Sequence, residues 1–121
     1  MEQVVKSKNF DLEERTLNFA KETRNFIKLL PKNSANFEDS KQLIRSSGSI
    51  GANYIEANES LSRKDLLLRL KISLKESKES RYWLNLIDIN NQDNLKKEQV
   101  PLIQEAKELS CIFASIINKL S

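Results

Sequence analysis

The strongest constraint on the fold is the spacing of small and apolar residues between positions 66 and 87. Leucine, isoleucine and serine recur there at alternating intervals of four and three residues, which places them on one side of an α-helix. The positions are Leu66, Leu70, Ser73, Ser77, Ser80, Leu84 and Ile87. An uninterrupted side of this kind lets a second helix pack alongside at a small crossing angle. We therefore predict a long helix from about Arg63 to Ile89, with Ser62 as its N-cap.

Two further helices are predicted before this one. The first begins at the capping signal formed by Asp11 and Glu14, and it stops at Pro31 because a proline ring cannot continue the helical hydrogen bonds. The second begins within residues 36–39 and ends near Leu61. Its inward side is predicted to carry Leu43, Ile44, Ser47, Ile50, Gly51, Tyr54, Asn58 and Leu61.

A fourth helix follows the polar segment after position 89. Pro101 is best tolerated in a first helical turn, so we place the regular helix from about Glu98 onward, with residues 94–97 as a separate turn. Short connections between four amphipathic helices predict an all-α fold, an antiparallel up-down-up-down four-helix bundle.

The composition agrees with a small helical domain. The chain has 121 residues with only two glycines and two prolines, too few for the many turns of an all-β fold. We expect one bundle domain over residues 10–121, preceded by a flexible arm at 1–9. The N-terminal residues lack the apolar core of a signal peptide, and no apolar run approaches membrane-spanning length, so the expected location is the cytoplasm without membrane contact.

The absence of histidine removes the commonest metal ligand and the commonest general base near neutral pH. Without histidine there is no serine–histidine or cysteine–histidine nucleophile system, and the single Cys111 excludes a cysteine-cluster metal site. The glutamate pairs at Glu56–Glu59 and Glu76–Glu79 are interpreted as ordinary solvated pairs on charged helices. The sequence therefore predicts no enzymatic activity, cofactor, metal or small-molecule substrate.

The segment 45–60, RSSGSIGANYIEANES, concentrates residues that form helices poorly. Ser47 and Gly51 fall on the inward side of the second helix, which favours close packing between helix backbones. A different set of polar residues falls on the opposite side: Arg45, Ser49, Asn53, Glu56 and Ser60. Two interpretations of this second set stay open, a solvated outer face or an interface with another chain.

The third helix is the most basic part of the chain. From Arg63 to Ile87 it carries seven basic and three acidic residues, a net charge of +4, against +3 for the whole protein. Four lysines and a tyrosine lie within a narrow angular range, which we call the basic stripe: Lys64, Lys71, Lys75, Lys78 and Tyr82. Such lysines can contact successive phosphates of RNA or DNA without reading sequence, and the aromatic ring could stack on an exposed base. A solvated helix face is the alternative.

The third helix also has more apolar residues than one neighbouring helix can cover. Trp83 and Leu86, with Leu68 and Ile72, lie to one side of its inward positions. A helix in an isolated bundle needs only one apolar stripe, and an exposed surplus usually marks an interface. Two interpretations of the surplus stay open: contact with a second neighbouring helix of the bundle, or contact with another subunit or a protein partner, which would make the protein part of an oligomer.

The segment from Gln42 to Ile87 resembles a bacterial family of four-helix-bundle proteins. The family includes proteins encoded by intervening sequences in large-subunit ribosomal RNA genes, and the accessory variability proteins of diversity-generating retroelements. The resemblance is carried by Arg45, Ser49, Ile50, Ala52, Asn53, Glu56, Lys64, Asp65, Ile72, Ser73 and Glu79.

The resemblance implies a fold and a mode of assembly. It implies an antiparallel four-helix bundle that forms a ring-like homopentamer with a basic surface. For the retroelement members it further implies binding to nucleic acid and to a reverse transcriptase. The signature residues, to which we add Trp83 from the apolar surplus, become candidates for an interface, and the family motif has no catalytic content.

Overall fold

The computed structural model describes the backbone of residues 2–121 and the side chains of residues 12–121. Four α-helices account for most of this part of the chain, and no strand is present within it. The helices are α1 (Glu2–Lys28), α2 (Ser34–Asn58), α3 (Arg63–Leu86) and α4 (Asp93–Leu120). The all-α fold with four helices, predicted from periodicity, is therefore confirmed.

The helices form a closed square. Each helix packs along two others, in the order α1, α2, α3, α4 and back to α1. Side chains also meet across the bundle axis, where the rings of Tyr54 in α2 and Phe113 in α4 lie edge to face with 5.8 Å between centroids. Consecutive helices are joined by short connections and run antiparallel. The bundle axis is filled by side chains from all four helices, the largest of which are Phe19, Phe26, Leu43, Ile50, Leu84, Leu95, Leu109 and Phe113.

Two helices begin at polar N-caps of the expected kind. The Ser62 hydroxyl accepts a hydrogen bond of 3.0 Å from the Asp65 backbone N–H, as the sequence predicts. At the start of α2, Asn33 Oδ1 accepts from the Asn36 N–H at 2.8 Å. The Asn36 amide is itself buried and bonds to the backbone of Asp88, so it fixes the start of α2 against the residues that follow α3.

The first helix begins earlier in the structure than the sequence predicts. Because α1 spans Glu2–Lys28, the Asp11–Glu14 signal lies inside the helix and does not mark its start. The flexible arm predicted for residues 1–9 falls outside the residues whose side chains are described, and it stays a prediction.

The predicted start of α4 is wrong. The helix begins at Asp93, eight residues before Pro101, and no separate turn occurs at 94–97. Two contacts hold the segment ahead of the proline on the bundle: Leu95 is buried in the core, and Gln99 Nε2 donates to the Leu84 carbonyl at 2.8 Å. These contacts offset the hydrogen bond that an interior proline removes.

The inward side of α3 is confirmed and that of α2 only in part. Every predicted inward residue of α3 is buried except Leu66, which is half-buried. On α2, Ser46 and Ala57 are buried although the sequence did not predict it, whereas Leu61 is fully exposed. The reason for the last difference is that α2 ends at Asn58, so the helical period no longer applies at Leu61.

Small residues bring α2 close to both of its neighbours. Toward α3, the Ser73 hydroxyl donates to the Ile50 carbonyl at 2.9 Å, and the hydroxyls of Ser80 and Ser46 are 2.9 Å apart. Toward α1, a Cβ added at Gly51 would lie 2.8 Å from Thr16 Oγ1, too close for an ordinary contact. The close packing predicted for Gly51, Ser73 and Ser80 is confirmed, and Ser46 takes part in it although the sequence did not predict this.

Gly48 differs from Gly51 in its surroundings. A Cβ added at Gly48 would lie 3.7 Å from Nη2 of Arg24, an ordinary van der Waals distance to the end of a flexible side chain. Close packing therefore does not explain the glycine at this position.

Candidate nucleic-acid interface

The basic stripe lies along the outer side of α3, between the sides covered by α2 and α4. All four of its lysines are exposed, and Tyr82 is 60% exposed at the C-terminal end. At a rise of about 1.5 Å per residue, the distance from Lys64 to Tyr82 along the helix axis is about 27 Å. The structure thus brings the five predicted residues together on one accessible surface.

No lysine of the stripe forms an ion pair within the described residues. The recorded ion pairs of α3 are those of Arg69 with Asp65 and of Glu76 and Glu79 with Arg45. The acidic residues of α3 are thus engaged by arginines, although Lys75 still acts on the Glu79 carboxyl through space. The four ammonium groups remain available to a phosphate ligand.

Arg45 connects α2 to α3 through two carboxylates. Its Nη1 atom is 2.7 Å from Glu76 Oε2, and its Nη2 atom is 3.4 Å from Glu79 Oε1. Glu76 is only 4% exposed, so the expectation of an ordinary solvated Glu76–Glu79 pair is wrong. A buried carboxylate with a guanidinium partner is the arrangement that makes burial of the charge tolerable.

The two carboxyl groups shift each other's pKa in opposite directions. Burial acts to raise the pKa of Glu76, but hydrogen bonds with Glu79, Arg45 and Ser49 outweigh it and lower the pKa below the usual value. The same contact with Glu76 raises the pKa of Glu79, with burial acting in the same direction. Glu76 Oε1 is buried and has no hydrogen-bond partner among the described residues, whereas Oε2 contacts Arg45.

Ser49 and Asn53 continue this network along the α2–α3 contact. Asn53 Nδ2 donates to the Ser49 carbonyl and hydroxyl, each at 2.9 Å, and Asn53 Oδ1 accepts from Arg69 Nη1 at 3.2 Å. The polar side of α2 predicted to point away from the bundle therefore faces α3 for these residues. The α2–α3 network comprises Arg45, Ser49, Asn53, Arg69, Glu76 and Glu79.

Glu56, which the family resemblance makes a candidate for an interface, takes no part in the α2–α3 network. Its side chain is exposed, and its recorded hydrogen bond is that of its backbone carbonyl with the Ser60 hydroxyl at 3.1 Å. Asn53, one turn before it on α2, bonds to Ser49 and Arg69.

Part of the apolar surplus of α3 packs within the bundle, as expected if a second neighbouring helix covers it. Trp83 and Ile72 are half-buried, and Trp83 packs against the bundle core. Leu68 and Leu86 remain exposed, close in angle to the lysines of the stripe. The Tyr82 ring meets the Trp83 ring edge to face, with 5.0 Å between centroids.

Glu76 and Arg69 belong to the network although the sequence does not predict it. Which charged residues face a neighbouring helix depends on how the helices pack, and the sequence of one helix does not show this. The one available signal was their angular position, which lies between the inward side and the stripe.

Neither a metal centre nor a membrane segment emerges from the described part of the chain. Among side chains 12–121, no group of three or more histidine, cysteine, aspartate or glutamate residues is placed to hold a metal ion. None of the helices within the described residues is long and apolar enough to cross a membrane.

Comparison with known families decides the relationship of this chain. A family model described as 23S rRNA-intervening sequence protein matches residues 8–115. The chain belongs to this family. The match to the 23S rRNA-intervening sequence protein family covers the basic stripe and the whole α2–α3 network.

A solved structure supports the same fold. A protein of unknown function from the S23 ribosomal protein family of Bacteroides thetaiotaomicron is similar, with 34% sequence identity and a TM-score of 0.78. The alignment covers 92% of this chain and 98% of the Bacteroides chain. No curated protein matches the sequence. Membership of the intervening sequence protein family therefore establishes the fold, and the function must be argued from the surface.

Proposed function

We propose that this protein is a non-enzymatic, oligomeric four-helix bundle that binds nucleic acid through the basic stripe of α3. The observation that supports this proposal most strongly is that the acidic residues and the lysines of α3 differ in their contacts. Its acidic residues are paired with arginines, whereas Lys64, Lys71, Lys75 and Lys78 are exposed without an ion pair in the described residues.

Contact with phosphates would be the main source of affinity. Each lysine that neutralises a phosphate releases a condensed counterion, so binding weakens steeply with salt. Ammonium groups on phosphates carry no base information, and the stripe offers no bidentate arginine or amide contact to base edges. The proposed binding is therefore independent of sequence.

The proposed assembly is a ring-like homopentamer, as the family resemblance implies. Exposed apolar side chains on α1 and α2 support self-association through a surface other than the stripe: Leu17, Phe37, Ile44 and Ile55. Contact through that surface would leave the α3 stripe of every subunit accessible. Several stripes on one particle would raise the affinity for a long nucleic acid through multivalency.

A salt titration of binding tests the proposal. The change is Lys71→Gln, Lys75→Gln and Lys78→Gln in one variant, measured with a fluorescent RNA at several salt concentrations. Loss of three phosphate contacts per binding site should reduce the slope of log K against log salt by about 2–3. The slope is read from the same protein preparation that gives the affinity at each salt concentration.

The matched control removes three lysines from α4. Lys96, Lys97 and Lys107 are exposed on a helix whose four basic and four acidic residues balance. Replacing them with glutamine changes the net charge by the same amount as the stripe variant does. The comparison therefore separates the loss of phosphate contacts at the stripe from a general loss of positive charge. Equal slopes for the two triple variants would exclude the stripe as the binding surface.

A protein-binding scaffold is the competing function. The exposed apolar residues of α1 and α2 favour it. A reverse transcriptase is the partner class that the resemblance to retroelement accessory proteins suggests. Absolute mass in solution, with the ratio of absorbance at 260 and 280 nm, separates the two functions. A homo-oligomer without nucleic acid, whose affinity for RNA is insensitive to the lysines, would favour the scaffold.

A further inference from the structure

We infer that the ligand of the α3 surface is single-stranded nucleic acid, with Tyr82 as a stacking platform for an unpaired base. This inference rests on the proposed function, because it assumes that the lysines contact phosphates. It goes beyond that function because it distinguishes single strands from duplexes, which offer the lysines the same phosphate groups.

The packing of α3 argues against insertion into a duplex. A single α-helix, about 10–12 Å across, already fills a major groove about 12 Å wide. Since α2 and α4 lie against α3 at an axial separation of about 8–10 Å, they would meet the walls of the groove as α3 enters it. A duplex could then meet the stripe only along its sugar–phosphate edge, where its bases are out of reach.

Tyr82 is placed to use what only a single strand offers. Its ring is 60% exposed at the end of the lysine row, and its edge-to-face contact with Trp83 restricts its orientation. Stacking on an aromatic side chain requires a base whose face is free, and a paired base in a duplex has no free face.

A second apolar surface lies at the other end of the stripe. A shallow depression of about 450 Å³ there is lined by Leu67 and Leu68 between Lys64 and Lys71, with Ser62 and Asp65 at its edge. Exposed Leu86 adds apolar area beside Tyr82. Apolar surface beside ammonium groups suits unpaired nucleotides, which present a base face and a phosphate in each unit.

The length of the surface sets the probe. A stacked strand advances about 3.4 Å per nucleotide, so a surface about 27 Å long corresponds to about eight nucleotides. We therefore choose a thymidine oligomer of about 12 nucleotides, an abasic oligomer of the same length and a duplex of the same length. The abasic oligomer retains the phosphates and removes every base.

The experiment compares Tyr82→Leu with Tyr82→Phe in the full chain. Leucine removes the ring, whereas phenylalanine retains it and loses only the hydroxyl. Loss of one stacked base should weaken binding of the thymidine oligomer on the order of 5- to 100-fold in Tyr82→Leu and leave Tyr82→Phe close to wild type. The abasic oligomer should bind all three proteins equally.

Trp83 provides an independent readout. It is the only tryptophan of the chain and contacts Tyr82, so a base stacked on Tyr82 should change its fluorescence. The thymidine oligomer should produce this change in wild type, and the abasic oligomer should not.

The outcomes separate this inference from the proposed function. Equal affinity for duplex and single strand, with no effect of Tyr82→Leu, would overturn the inference and leave phosphate binding intact. Failure of every oligomer to bind would overturn both. A change of subunit number in Tyr82→Leu without a change in affinity would show that this surface joins copies of the chain, which also overturns the inference.

Discussion

The two polar sides of α3 differ in what their side chains contact. On the side toward α2, the hydroxyls of Ser73 and Ser80 and the carboxylates of Glu76 and Glu79 all bond to partners within the chain. On the outer side, the stripe lysines are exposed and form no ion pair with the described residues.

This difference shows where the residues of the family resemblance act. Arg45, Ser49, Asn53 and Glu79 lie in the α2–α3 network, so holding two helices together is enough to explain their presence. The basic stripe needs another explanation, because its lysines form no ion pair with the described residues. We expect substitutions on the side toward α2 to change the stability of the protein, and substitutions in the basic stripe to change its binding of nucleic acid.

The largest effect on stability is expected at Ser73. Ser73→Leu adds volume at a position with no exposed surface, and it removes the hydrogen bond to the Ile50 carbonyl. Overpacking and the lost bond together should lower the free energy of unfolding by about 2–4 kcal/mol, measured by urea denaturation. The control Lys75→Leu, on the outer side of the same helix, should change it by less than about 0.5 kcal/mol. Similar losses for both variants would remove the distinction between the two sides.

A smaller effect is expected at Glu76. Glu76→Gln keeps the side-chain volume and removes the charge that Arg45 contacts at 2.7 Å, so unfolding free energy should fall by about 1–2 kcal/mol. Glu79→Gln should cost less than about 0.5 kcal/mol, because that carboxylate is more exposed and its contact with Arg45 is longer. A larger loss for Glu79→Gln would mean that the ranking of the two carboxylates is wrong.

The pH dependence of stability follows from the same pair. The pKa of Glu76 is lowered in the folded protein, so its contribution is present above the usual glutamate pKa and is lost as the pH falls through the folded value. The pKa of Glu79 is raised, so its contribution is present below the usual value and is lost as the pH rises through the folded value.

Unfolding curves across acidic pH check these signs. Glu76→Gln should reduce the loss of stability that occurs as the pH falls below the usual glutamate pKa. Glu79→Gln should reduce the loss that occurs as the pH rises above it. An acid profile of Glu76→Gln identical to that of wild type would contradict the assignment of the lowered pKa to Glu76.

The smallest effect on stability is expected from the stripe itself. Replacement of Lys71, Lys75 and Lys78 by glutamine should leave the unfolding free energy within about 0.5 kcal/mol of wild type, since each is exposed without an ion pair in the described residues. Thermal unfolding at moderate salt measures it. Marked destabilisation would show that the stripe serves the fold, which would weaken the case for binding.

The sequence predicts those features that depend on the period of a single helix. The inward side of α3 and the exposed stripe both follow from angular position alone, and both are found as predicted. The start of α4 cannot be predicted from angular position alone. Burial of Leu95 keeps the helix regular ahead of Pro101, and that burial depends on the neighbouring helices.

The α2–α3 network was beyond sequence analysis for a related reason. Arg45 lies opposite the inward residues of α2, and only its long side chain reaches Glu76 on α3. Which glutamate becomes buried depends on the separation and rotation of the two helices, which local periodicity does not determine.

Protection of lysines from acetylation tests the central claim most directly. The protein is treated briefly with an acetylating reagent with and without bound oligonucleotide, and modification of each lysine is measured by mass spectrometry. We expect protection at Lys64, Lys71, Lys75 and Lys78, and unchanged reactivity at Lys96, Lys97 and Lys107 of α4. Equal protection of both groups, or protection of α4 alone, would contradict the assignment of the α3 stripe as the nucleic-acid interface.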